Sequence, residues 1–79
     1  MKIHDIKILP DYFEAVLKGK KNFEIRKNDR DYKPGDVLML REWDNEYTGR
    51  VIEKSVAWVM YNDKDMLKEG YIAMQLEDV

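Results

Sequence analysis

The stretch GKKNFEIRKNDR, Gly19 to Arg30, is the most chemically distinctive part of this chain of 79 residues. Within it the spacing G-x-K-x-x-E-x-R, formed by Gly19, Lys21, Glu24 and Arg26, sets one acid and two bases beside the apolar pair Phe23 and Ile25. From Asn22 to Lys27, Phe23 and Ile25 share one parity while Asn22, Glu24 and Arg26 share the other, which is the period of a strand. The spacing predicts a core strand with an apolar face inward and a charged face opposite. From Lys18 to Lys33, seven basic residues stand against three acids, a local balance of +4 in a chain whose net charge is −2. Charge separated in this way steers an anionic partner even when the whole molecule is acidic, and phosphate is the first expectation.

Toward the N-terminus, His4 to Leu9 alternates, with His4, Ile6 and Ile8 on one parity, and predicts a short half-buried strand. Pro10 and Asp11 open a helix carrying Tyr12, Phe13, Val16 and Leu17 at helical spacing; Asp11 and Glu14 have the spacing of a capping box, and Gly19 closes the helix. Lys18, Lys20 and Lys21 then fall at its C-terminal end, where the helix dipole favours cations, so these lysines also have a purely structural explanation.

Toward the C-terminus, NDRDYKPG (Asn28 to Gly35) is rich in turn formers, and Pro34-Gly35 is the central pair of a type II turn. Asp36 to Trp43 is apolar on both parities and predicts a central strand. Asp44 to Gly49 reads as a hairpin loop. Arg50 to Met60 places Ile52, Val56, Trp58 and Met60 on one parity but is long for one strand, so a bulge or bend is expected. Asn62 to Gly70 is polar, with Met66 and Leu67 expected to pin one helical turn on the core. Tyr71 to Leu76 alternates again, with Ile72, Met74 and Leu76 facing one way. One helix and about five short strands define a small α+β domain dominated by an antiparallel sheet, for which barrel closure would protect the edges.

The length fits one domain over residues 1–79, a size at which only about 60% of the unfolded chain's surface is buried. The chain has no cysteine, which excludes a disulfide framework, a thiolate nucleophile and a cysteine zinc site, and a cytoplasmic setting is expected. It has one histidine, so no transition-metal site is expected. Asp63, Asp65 and Glu69 lack the glycine and terminal glutamate of a calcium loop. No apolar run reaches the length of a membrane span, so no membrane partner is expected, and nothing in the sequence calls for a cofactor.

At GKKNFEIRKNDR, and in the ordered set HDIKIL, PDYFEAVLKGKK, KPGDVLMLREW and YTGR around it, the chain resembles the ASCH (activating-signal-cointegrator homology) domains of the PUA-like superfamily, in particular a compact bacterial and phage branch. The resemblance implies a PUA-like β-barrel with a helix beside it and a cleft into which the motif strand points. Members are mostly inferred to bind RNA, and some are reported to hydrolyse the amide of acetylated cytidine with a lysine, a threonine and a glutamate. Lys21 matches that lysine. The threonine position falls on Glu24, and the later glutamate lies in a segment this shorter chain compresses, so the resemblance to the hydrolytic members is incomplete.

The first expectation is therefore a nucleic-acid-binding module taking RNA, a nucleotide or a modified nucleoside into a cleft. His4, Lys21, Glu24, Arg26, Lys27, Arg30 and Tyr47 are the candidate ligand contacts. Arg26 offers a bidentate fork for phosphate or a base edge, and His4 reads either as a cleft residue or as a satisfied core histidine. Trp43, Trp58, Phe23 and Tyr71 are expected mostly in the core, with a stacking surface as the alternative reading. The second expectation is an amidohydrolase in which Lys21 and Glu24 act as base and proton shuttle, which requires a partly buried Lys21. A protein partner is the third.

Overall fold

Strict alternation of apolar and polar residues sets the interior of the fold at both ends of the chain. The computed structural model describes residues 1–79, and its elements run β1 (Ile3–Ile8), α1 (Pro10–Leu17), β2 (Phe23–Lys27), β3 (Val37–Trp43), β4 (Tyr47–Met60) and β5 (Tyr71–Asp78). In β1, His4, Ile6 and Ile8 are buried, and in β5, Ile72, Met74 and Leu76 are buried, as their parity predicts. The five strands form one mixed sheet in the order β1-β3-β4-β5-β2, strongly curled into a half-barrel. All neighbours are antiparallel except β1 and β3, which run parallel, the crossover that a parallel pair needs being supplied by the segment that holds α1 and β2. Thus β1 and β2 are the two free edges, and the curl brings them to face one another.

Helix α1 starts at Leu9 as N-cap with Pro10 at its first position, where the missing N–H costs nothing. The expected Asp11–Glu14 capping box does not form. Asp11 lies inside the first turn, and Glu14 instead accepts from Arg50 Nη2 at 2.5 Å. Glu42, buried on β3, accepts from Thr48 Oγ1 at 2.7 Å and from Arg50 Nη2 at 3.5 Å, and its Oε1 forms an ion pair with Arg50 Nε at 3.2 Å. Arg50 also lies 4.5 Å from the Phe13 ring, so this one guanidinium clamps the helix to the β3–β4 hairpin. At its other end α1 closes in a Schellman arrangement, Gly19 N–H donating to Val16 O and Lys20 N–H to Ala15 O. That closure needs Gly19 at φ 75°, and it delivers Lys21 to the mouth of β2.

Four further expectations are corrected. First, β2 is inverted: Phe23 and Ile25 are each 48% exposed, while Glu24 is 4% exposed. The cause is β5, whose Met74 and Ile72 stand opposite Glu24 and Arg26; cross-strand partners share a face, so burying β5's apolar set turns the charged parity of β2 inward. Second, Trp58 is 57% exposed. The expected bulge is present between Val56 and Trp58, and the extra residue, Ala57, exchanges the faces so that Val59 is buried instead. Third, Trp43 and Tyr71 are only partly buried, so none of the four aromatics expected in the core fills it; Phe13 and Tyr32 do. Fourth, residues 62–70 form turns with no helix, Met66 is exposed, and Asn62 holds the loop through the backbone of Leu67 and Lys68. The β3–β4 hairpin is also tighter than expected, since Trp43 already pairs with Tyr47. The turn at Pro34-Gly35 is as predicted, with Gly35 at φ 90° and Asp36 N–H donating to Lys33 O at 3.1 Å.

Candidate functional site

The free edges of β1 and β2 leave a seam, and in the seam lies a cleft of about 650 Å³, within the size range of small-molecule sites. Asn22 O accepts from Leu76 N–H, and Asn28 N–H donates to Gly70 O. Antiparallel alternation then directs the backbone groups of Glu24 and Arg26 to β5 and those of Phe23, Ile25 and Lys27 to the seam. On the opposite bank the carbonyls of Asp5 and Lys7 also face the seam, where they accept side-chain hydrogen bonds. Arg26 Nη2 donates to Lys7 O at 2.6 Å, and Arg30 Nη1 donates to Asp5 O at 2.5 Å. Two arginine side chains therefore span a gap that no backbone ladder closes.

Glu24 is the centre of the charged wall. Its Oε1 pairs with Lys21 Nζ, and its Oε2 accepts from Arg26 Nε at 2.9 Å. A buried carboxylate needs such partners, because an ion taken out of water unpaired is strongly disfavoured. Lys21 also donates to Phe23 O at 2.7 Å, and its ammonium lies 5.5 Å from the Tyr12 ring and 5.0 Å from the Phe23 ring. Its side chain is 15% exposed, so it is partly desolvated. Lys21, Arg26, Lys27 and Arg30 line the cleft against only two carboxylates, Glu24 and Asp29. Lys7 lines it too, but its ammonium lies 3.8 Å from the Trp43 ring.

Five of the seven residues expected from the sequence, Lys21, Glu24, Arg26, Lys27 and Arg30, are thus brought together. His4 and Tyr47 are not. His4 is buried behind the cleft, donating Nε2 to Asp36 Oδ2 at 2.8 Å, with its ring 4.6 Å from that of Tyr32. Asp36 also accepts from the N–H groups of Lys2 and Lys33, at 3.0 Å each. Burial pushes the Asp36 carboxyl up, but the hydrogen bonds from His4, Lys2 and Lys33 together outweigh it and hold it below the ordinary carboxylate value. Tyr47 packs edge-on against Trp43 at 4.9 Å and does not line the cleft.

Sequence reasoning missed Tyr12, Asp29 and Tyr32 as lining residues. Tyr32 was detectable, because an aromatic residue inside the polar run NDRDYKPG is out of place in a solvated turn and marks an anchor. Burial raises the Tyr32 phenol above its usual value, with Arg30 and Arg26 opposing the shift and Asp29 and Glu24 adding to it.

Residues 3–76 match the family described as Domain of unknown function (DUF3850). The chain is similar to the uncharacterized 12.9 kDa protein in the GpA 3′ region of Escherichia phage P2, with 48% identity over 56 residues, or 70% of this chain and 51% of that protein. It therefore spans about half the length of that relative. Among solved structures it resembles hypothetical protein PH0355, with a TM-score of 0.67, 20% identity and full coverage of both chains.

Proposed function

The chain belongs to the DUF3850 family, and we propose that it is a binding module for a nucleotide-like ligand, a short RNA strand or a modified nucleoside, held in the seam between β1 and β2. The observation that carries the reading is the concentration of Lys21, Arg26, Lys27 and Arg30 around one cleft in a chain of net charge −2. Exposed aromatic edges from Tyr12 and Phe23 at the same cleft suit the stacking of an unpaired base. Kinship with the ASCH domains of the PUA-like superfamily is part of this proposal. It is supported by the ordered motif and by the way β2 turns Glu24 and Arg26 toward the cleft. Glu24 has both oxygens engaged by Lys21 and Arg26, so its role is to orient two cations.

The amidohydrolase reading keeps its geometric requirement, since Lys21 is partly buried and hydrogen-bonded to Glu24 at the cleft wall. One set of titrations separates the two readings. Calorimetry with short single-stranded RNA and with cytidine nucleosides is expected to show salt-sensitive binding that weakens roughly tenfold in Arg26→Gln and less in Lys27→Gln, with no acetate released from acetylcytidine. Affinity indifferent to salt and to both substitutions would remove the binding reading. Acetate release that stops in Lys21→Ala would establish the hydrolase instead.

A further inference from the structure

The floor of the cleft holds a group that the charges of β2 do not account for. Tyr32 is 1% exposed, yet it lines the cleft. Its backbone is tied on both sides, the N–H to Asn28 Oδ1 at 3.2 Å and the carbonyl to the Tyr61 hydroxyl at 3.2 Å. Its ring is held against His4. The phenol hydroxyl alone has no hydrogen-bond partner in the protein. It is not sealed in the core either, because no fully buried side-chain nitrogen or oxygen is left without a partner. Tyr32 lines the cleft together with Arg30, Arg26, Asp29 and Glu24, so the cleft is where a partner for the hydroxyl would sit. Buried phenols with no stabilising partner stay protonated at neutral pH, so this group is a fixed neutral donor.

Both arginines beside it have donors to spare. Arg30 uses Nη1 on Asp5 O, leaving Nε and Nη2; Arg26 uses Nε on Glu24 and Nη2 on Lys7 O, leaving Nη1. The carbonyls they hold are neutral acceptors, and a guanidinium bonds an ionised oxygen about twice as strongly. Three donors of this kind lining one cleft suit an oxyanion, and a phosphate can satisfy them with separate oxygens.

We propose that Tyr32, Arg26 and Arg30 form a subsite for a terminal phosphate monoester, with Arg30 exchanging its carbonyl partner for the phosphate. This rests on the reading of the cleft as a nucleotide site. A terminal phosphate reaches the floor end-on, whereas an internal diester would require the strand to enter and leave a slot already crossed by two arginine side chains. Along β2 the opposite end of the cleft is the Tyr12, Lys21 and Phe23 corner, which receives the base. The ligand class is thus a 5′- or 3′-phosphorylated nucleotide or strand end in preference to its dephosphorylated form.

The test compares cytidine, cytidine 5′-monophosphate, cytidine 3′-monophosphate and inorganic phosphate by calorimetry on the wild-type chain, Tyr32→Phe and Arg30→Gln. At least one monophosphate is expected to bind roughly tenfold tighter than cytidine. Tyr32→Phe, which keeps the ring against His4, narrows that ratio about fivefold, and Arg30→Gln narrows it further. Arg30 is exposed, so its variant decides the matter should Tyr32→Phe fail to fold. Equal affinity for cytidine and both monophosphates, or a ratio unchanged in the folded variants, overturns the subsite while leaving the cleft reading intact. Binding of inorganic phosphate that is sensitive to both substitutions, with no gain from the nucleoside, upholds the subsite and defeats the nucleotide reading. No binding of any probe overturns both.

Discussion

Asp36 shows how one buried carboxylate organises the chain behind the site. It joins the N-terminus at Lys2, the His4 ring and the turn at Lys33, and through the His4 stack it fixes the back of Tyr32. Because these hydrogen bonds hold its folded pKa below the unfolded value, Asp36 contributes stability that is present above about pH 4 and is lost as pH falls through the folded pKa. Urea unfolding should therefore show the wild-type chain losing stability on acidification below about pH 4, while Asp36→Asn is weaker by about 1.5–3 kcal/mol at pH 7 and loses less on acidification. Equal stability of the two proteins at pH 7 would contradict this. Two of the partners of Asp36 were not legible in the sequence, since Lys2 and His4 meet it only after β1 pairs in parallel with β3, whereas Lys33 lies in the same turn. Tyr32, by contrast, was detectable as an anchor from its place in a polar turn.

At the scale of elements, the sequence was most informative where alternation is strict and the residues on one parity are unambiguously apolar. β1 and β5 are such strands, and both bury the parity that their residues predict. β2 was misread because its own alternation fixes only that two faces exist; which face is buried is decided by its partner β5 through register. The inversion is also what creates the site, since it turns Glu24 and Arg26 toward the seam. β4 was misread for a related reason. A bulge was expected from its length, but the position of the extra residue, Ala57, decides which later side chains are buried. Hence Trp58→Gln should cost less than about 1 kcal/mol, whereas Val59→Ala, which empties a core position, should cost about 2 kcal/mol. Equilibrium unfolding of the two variants checks this, and a reversed order of the two costs would place the bulge elsewhere.

At the scale of the whole molecule, the sheet is a half-barrel whose two edges are left unpaired by the backbone and are joined by arginine side chains. An open edge ordinarily invites pairing with another strand. Here Arg26 and Arg30 occupy the gap, so the same charges that protect the edge are the ones a phosphorylated ligand would engage. The overall acidity of the chain opposes tight binding along a long duplex, which depends on many phosphate contacts, and favours a small ligand that meets only the basic seam. The likeness to PH0355 extends over the whole chain, but a shared fold carries no activity by itself. The claim that the seam is the binding site is tested most directly by amide shift mapping of the labelled protein with cytidine 5′-monophosphate. The account predicts that shifts concentrate on Ile6 to Leu9, Lys21 to Lys27, Asp29 to Tyr32 and Tyr71, on both banks of the cleft. Shifts confined to the Trp43 and Tyr47 face, or none at saturating ligand, would contradict it.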